Sequence, residues 1–481
     1  MVTPDLTRLY AESDALGLAS LVRRGEVSQR ELVDTAIAAI ETLDGDLNAV
    51  PAPLRLFDLA RAAADVPAEG PFAGVPFLLK NIGSMWKGTP LTNGYRYLAD
   101  FVCPEDTELS RRIRQAGFLL LGRTNTPEGG WSLGTEPRLY GPTRNPYDPS
   151  RTAGGSSGGA AAAVAARMLP IAEASDGGGS IRGPASCCGL VGLKPSRGRI
   201  TYGPQVPDLW FGSIATFCVT RTVRDTAAYL DAVVGDAPGD PYRLARPERS
   251  WLSALDRPPE RLRVGFTRTA PWGGPVSPTV LADLDATTSL LASMGHDLVE
   301  HDLETDLRNA WRNYTRITAV ETAADFRRWE PLVGHPVDLS ELAPVNAALV
   351  ERGRALSAVD YADHVAAVRK AGQEIERELD AFDVFLTPTL TEPPRPIGFW
   401  SMENPDLDRY LDLWAEGGYL FACNISGLPA ISVPGAAEAG PLPIGIHMIG
   451  RHGDEAILLS LAQALEDATH WDLRRPPICL A

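Results

Sequence analysis

Lysine is nearly missing from this sequence. Of 45 basic residues, only Lys80, Lys87, Lys194 and Lys370 are lysines, and arginine supplies the rest. Lysine differs from arginine chiefly in that it can lose its proton in a desolvated site, so the search for a lysine base narrows to four positions. Positive charge is also scarce overall: the formal net charge of −16 is wrong for a surface that neutralises phosphates or anionic lipid. Neither nucleic acid nor membrane is an expected partner. Histidine is sparse and late, with all seven residues at His296 or beyond, each in a polar context expected of solvated side chains. The six cysteines (Cys103, Cys187, Cys188, Cys218, Cys423, Cys479) show no C-x-x-C spacing, which fits reduced buried thiols rather than a disulfide framework or zinc site. No cluster of His, Cys, Asp or Glu has metal-ligand spacing, and no cofactor is expected.

Long hydrophobic runs are missing too. The longest runs from Gly158 to Ala166, is mostly Ala and Gly, and is followed by Arg167; it is too short and too weakly apolar to span a bilayer and reads as a tightly packed core helix. The opening MVTPDLTRLYAESDALG scatters charges where a signal peptide needs an apolar stretch, so a cytoplasmic location is expected.

With 481 residues and 44% hydrophobic content, the chain can bury a large core. Residues 16–22 and 30–43 carry helical apolar spacing, and Ser28 with Glu31 forms a capping box for the second helix. A helical lead over 1–70 is expected, part of the same domain as 71–475. From Phe72 onward, short apolar runs (GVPFLLKN, GFLLLGRTN, RMLPIAEASDGGGS, GLVGLKPS) alternate with helical stretches, the texture of an α/β layer architecture. A Pro-, Asp- and Arg-rich connection over 236–261 precedes a strand at 261–267. Helices are expected over 279–295, 302–330 and 357–380, and a buried strand over 381–390. There is no internal repeat.

The densest chemical signal runs from Gly154 to Ser196, where two Gly/Ser clusters flank the small-residue helix. Gly177, Gly178 and Gly179 remove the side chains beside Ser180, so that backbone N–H groups can converge on one atom, as an oxyanion hole requires. A phosphate loop is excluded because neither cluster has the G-x-x-x-x-G-K-[ST] order, and no G-x-G-x-x-G supports a dinucleotide site. A Ser-His-Asp hydrolase is disfavoured: no G-x-S-x-G elbow surrounds Ser180, although folding can bring a distant histidine close.

The runs GVPFLLKN, GGSSGG and SDGGGSIRGPASCCGLVGLKPSRGR resemble the amidase signature enzymes, and GRTNTPE, GPTRNPYD, TRTVRD, DVFLTPT, SGLPAISVP and PIGIHMIGR extend the resemblance over residues 15 to 475. Within that family the chain looks closest to bacterial amidases of the cyclic nylon-dimer hydrolase and urethanase kind. The resemblance implies an α/β/α fold with a mixed central sheet flanked by helices. It also implies C–N bond hydrolysis of a small-molecule amide or carbamate through an acyl-enzyme. By position it makes Lys80 the base, Ser156 the bridging serine after a cis peptide bond, and Ser180 the nucleophile. Gly177, Gly178, Gly179 and Ser180 then hold the oxyanion, Asp176 and Arg182 brace the loop, Lys194 is structural, and Gly130 and Trp131 line the acyl side of the pocket. Trp210, Phe211 and the aromatic segment 399–421 are further pocket candidates, against ordinary core packing.

Three positions depart from the common pattern: Asn81 replaces the Asp after the lysine, Gly177 a Thr or Ile, and Gly183 a bulkier residue. The loss of a carboxylate at 81 is expected to favour neutral Lys80. Two alternatives share the scaffold, the A subunit of a tRNA-dependent amidotransferase and a non-catalytic binding protein. The sequence leaves a homodimer open.

Overall fold

The computed structural model describes residues 3–204, 206, 208–437 and 440–481. Ten strands form one sheet: β1 (Pro76–Lys80), β2 (Leu119–Thr124), β3 (Ile171–Asp176), β4 (Val191–Lys194), β5 (Ala215–Thr220), β6 (Arg263–Phe266), β7 (Asp297–Glu300), β8 (Val384–Pro388), β9 (Ala430–Pro434) and β10 (Gly445–Gly450). Their spatial order is β2-β1-β3-β5-β4-β9-β10-β8-β6-β7. The outer groups pair in parallel (β2-β1-β3 and β8-β6-β7), while every pairing between them, from β3/β5 to β10/β8, is antiparallel. The mixed α/β sheet expected from the sequence is therefore present. The strand runs are apolar without alternation because helices cover both faces; β1, β2, β4, β8, β9 and β10 are buried along their whole length.

The lead helices form at Ala15–Arg23 and Gln29–Leu47, and the Ser28–Glu31 capping box is made from both sides. Such a cap is worth about 1 kcal/mol. The poly-alanine helix, Gly158–Ala165, is buried at every residue, and its composition follows from how closely the chain passes: a Cβ at Gly159 would lie 2.4 Å from the Asn125 nitrogen and 2.7 Å from the Ala49 oxygen. Helices also form at Pro278–Ser293, Leu307–Val333 and Ala358–Leu379. No described helix is long and apolar enough to cross a membrane.

Parallel pairing fixes where chemistry can occur. β1 and β3 run side by side, so Lys80 and Asp176, their last residues, emerge at the same edge. The carboxyl edge of parallel strands is the usual place for ligands in α/β sheets.

Candidate active site

Lys80 ends a fully buried strand and is itself 0% exposed. Its Nζ lies 2.7 Å from Ser156 Oγ, 3.0 Å from Ser175 Oγ and 3.3 Å from the Ser175 carbonyl oxygen. Ser156 follows a cis Gly155–Ser156 peptide bond, and its carbonyl accepts from Thr126 Oγ1 at 2.9 Å. Ser180 lies on the turn joining β3 to the short helix Arg182–Cys188 and lines the same cavity as Ser156 and Ser175. Burial pushes the Lys80 ammonium down to about 7, against the opposing pull of Asp176 and Glu173. The other three lysines separate cleanly. Lys87 and Lys370 are exposed. Lys194 is buried, donates to the Pro195 carbonyl at 2.9 Å, and is likewise depressed to about 7 by burial.

Asn81 follows Lys80 directly past the end of β1. Its carboxamide turns to Thr92, accepting the Thr92 N–H at 2.9 Å and donating to Thr92 Oγ1 at 2.6 Å. Besides Asp176, the carboxylate that acts on Lys80 is Glu173, two residues before Ser175, which accepts the Lys80 backbone N–H at 2.9 Å and the Ser84 hydroxyl. Burial raises Glu173 to about 7.

The glycine loop is held from below. Asp176 accepts the Gly179 N–H at 2.7 Å and the Ile181 N–H at 3.1 Å, and takes both Nε and Nη2 of Arg182 at 2.9 and 2.8 Å. Both side chains are fully buried. Burial raises the Asp176 carboxyl, but Arg182 and Asn424 hold it well below the usual range. Asn424 ties in by donating to the Asp176 carbonyl and carboxylate. The Gly179 N–H is thus committed to the loop, a correction to the three-glycine expectation; among the described residues the Gly177, Gly178 and Ser180 amides have no protein acceptor. Gly179 needs its glycine for a φ of +128°. Gly183 has no such reason: a Cβ there would meet nothing closer than 3.6 Å, and nothing in the structure explains it.

The expectation that every histidine is solvated also fails. His447 is buried on β10, with Nε2 2.9 Å from Arg182 Nη1 and Nδ1 3.1 Å from Thr387 Oγ1. Burial and the Arg182 charge keep it neutral. Since Thr387 donates its hydroxyl to Pro388, the imidazole donates through Nδ1 and accepts from Arg182 through Nε2. It supports the brace and makes no bond to Ser180.

The cavity above Ser180 has a volume of about 60 Å³. Gly130 and Trp131 line it, as do Trp210, Trp311, Tyr314 and Trp414. A Cβ at Gly130 would sit 3.2 Å from Ser156 Oγ, so glycine there leaves the bridging position unobstructed. Trp131 is fixed by Nε1 donating to Thr322 at 3.1 Å and by its carbonyl accepting Tyr410 OH at 2.8 Å. Within 399–421 only Trp414 reaches the cavity wall; Trp400, Tyr410, Tyr419 and Phe421 are buried in the core. Phe211 too packs into the core, against Tyr314. Trp311 and Tyr314 escaped sequence reading. Their one signal is an i,i+3 aromatic pair on a helix, which usually means packing. Tyr314 OH in fact donates to the Gly177 carbonyl.

A lysine buried among serine hydroxyls beside a glycine loop is the arrangement of a serine hydrolase, and no histidine bonds to Ser180 among the described residues. The Amidase family model matches residues 31–459, and the chain belongs to the amidase signature family. It is 36% identical over 478 residues to the 6-aminohexanoate-cyclic-dimer hydrolase of Paenarthrobacter ureafaciens, covering 97% of this chain and 96% of that protein. A solved structure of 6-aminohexanoate cyclic dimer hydrolase complexed with substrate superposes with a TM-score of 0.92 at 36% identity, covering 97% of this chain and 99% of that one. The A subunit of the glutamyl-tRNA(Gln) amidotransferase from Chromohalobacter salexigens is similar too, 33% identical over 490 residues, covering 95% of this chain and 97% of that protein.

Proposed function

We propose that this chain hydrolyses C–N bonds of small-molecule amides, with carbamates in its range, through an acyl-enzyme on Ser180. The observation that carries the reading is the buried, proton-poor Lys80 at 2.7 Å from Ser156. Neutral Lys80 takes a proton from Ser156 as Ser156 takes one from Ser180, and the Ser180 oxygen attacks the substrate carbonyl. The developing oxyanion sits among the amides of Gly177, Gly178 and Ser180; one such donor is worth about 3–4 kcal/mol in the transition state. On collapse the C–N bond breaks and the proton returns through Ser156 to the departing nitrogen. Water then repeats the sequence, releasing a carboxylic acid from an amide or, from a carbamate, a carbonic acid monoester that falls apart to carbon dioxide and the alcohol.

An amidotransferase A subunit would use the same groups but require partner subunits, so hydrolysis by the chain alone decides between the two readings. The scattered free cysteines support a cytoplasmic setting. The direct test is to trap the acyl adduct by mass spectrometry with an activated amide or a fluorophosphonate. Modification should fall on Ser180 and disappear in Ser180→Ala; an adduct elsewhere, or full activity in that variant, refutes the assignment.

A further inference from the structure

The cavity above Ser180 is too small for a whole substrate. About 60 Å³ is room for a couple of waters, enough for the reacting amide group and little more. A second chamber of about 420 Å³ adjoins it, in the size range of small-molecule sites. The two share five wall residues, Ile82, Gly129, Ser175, Trp210 and Ile214. The chamber's body is apolar, built from Leu91, Leu98, Phe101, Phe326 and Trp329. Its charged lining residues are Glu105, Asp325 and Arg328, and Asp325 is already paired with Arg328 at 2.7 Å. Nothing there calls for an ionic ligand.

Which end of the substrate enters follows from the direction of proton transfer. The departing nitrogen must face the group that protonates it, and Ser156 hangs on Lys80, whose Nζ rests on Ser175. Ser175 is the residue through which the chamber borders this relay. Trp311 and Trp414 line the small cavity alone and are left for the acyl side, together with Trp131. Trp210 stands between the two spaces. Its ring packs on Trp131 at 5.0 Å and edge-on to Tyr314 at 6.2 Å. It also closes over Gly177, where a Cβ would come within 3.0 Å of its Cζ3. Trp210 and Phe211 both adopt positive φ, +50° and +48°, a conformation that non-glycine residues hold only when packing enforces it.

We propose that this chamber receives the leaving amine's substituent, that the substrates are secondary amides or carbamates whose nitrogen carries a long or bulky uncharged apolar group, and that Trp210 is the specificity-determining partition. The proposal rests on the assignment of Ser180 and Ser156 above. Each methylene buried in the chamber should raise kcat/KM by up to about fourfold. The test is two series of substrates: N-alkyl acetamides lengthened from methyl to octyl on nitrogen, and N-methyl amides lengthened equally on the acyl side. Specificity should climb steeply along the first series and stay flat or fall along the second. Leu98→Trp, which fills the chamber, should lower kcat/KM for the octyl acetamide at least tenfold more than for the methyl one. Trp210→Ala, which joins the spaces, should let long acyl chains compete. Melting temperatures establish that the variants fold.

A rise along the acyl series instead overturns the chamber's assignment while leaving Ser180 as nucleophile. The same substrates titrated into Ser180→Ala separate the two claims in the other direction. If wild type hydrolyses none of them, the catalytic reading fails, and the chamber stands or falls on whether N-octylacetamide binds at least tenfold more tightly than N-methylacetamide. Equal binding overturns it.

Discussion

The proposed chemistry requires Lys80 to be neutral when substrate is bound, and burial favours that form. An ordinary lysine near 10.4 would be neutral in about one molecule in 2,500 at pH 7. With burial lowering it to about 7, half the molecules carry the free base, a gain of about a thousandfold in active enzyme. kcat/KM for an anilide measured from pH 5 to 9 should therefore show a single acid limb of unit slope with its midpoint near 7 and a plateau above. Lys80→Arg keeps a cation but cannot serve as base, so it should be as inactive as Lys80→Ala. Glu173→Gln removes a carboxyl that favours the ammonium wherever it is ionised and should shift the limb toward acid. A flat profile, or substantial turnover in Lys80→Arg, would sink the proton route.

The same burial leaves a mark on stability with a definite sign. Because the folded-state value lies below the unfolded one, the unfolded chain binds the extra proton between them, and stability rises with pH across that window. Holding Lys80 inside costs about 5 kcal/mol below pH 7, falling away as pH approaches 10.4. Lys80→Met should thus raise the melting temperature at pH 6 by more than at pH 9. The comparison isolates Lys80 from Lys194, which is depressed alike but untouched by the substitution.

Other outcomes follow from single contacts. Asp176→Asn leaves the fully buried Arg182 charge unpaired and should destabilise the fold by about 3–5 kcal/mol, with activity lost even where the variant remains folded, since Gly179 is released; a calorimetric melt and an anilide assay read both. Dialysis against a strong chelator should leave turnover unchanged, because the base is an amine and no step needs a bound cation; activity lost and then restored by a divalent ion would contradict this.

Much of the site could be read from the chain because its chemistry depends on residue types that are rare or local here. Four lysines left one in a catalytic motif, and three glycines beside a serine marked the loop. The long-range partners were not legible. His447 and Asn424 meet Arg182 from more than 240 positions away, and their sequence surroundings carry no pattern that pairs them. The side chain of Asn81, just past the end of β1, is taken up by Thr92, whereas Glu173 acts on Lys80 from the neighbouring strand β3, a pairing that no local spacing reveals. Gly179 was assigned by its place in a run of glycines, but hydrogen bonding distinguishes it from its neighbours: its amide faces Asp176.

Gly177 and Trp210 show how two separate sequence observations become one physical feature. Glycine at 177 does not serve a left-handed backbone, since its φ is not positive; it clears space. A Cβ would approach Trp210 Cζ3 to 3.0 Å and Ile214 Cγ1 to 3.3 Å, so a Thr or Ile at 177 would push the indole off the loop. The ring's present position narrows the cavity above Ser180 and lines both that cavity and the adjoining apolar chamber. A departure from the common pattern inside the proposed oxyanion loop therefore alters the shape of the site without touching Lys80, Ser156 or Ser180. On the proposed reading, substrate choice and catalytic power are in this way separable in the sequence, the first tied to the pair at 177 and 210, the second to the buried lysine and its serines.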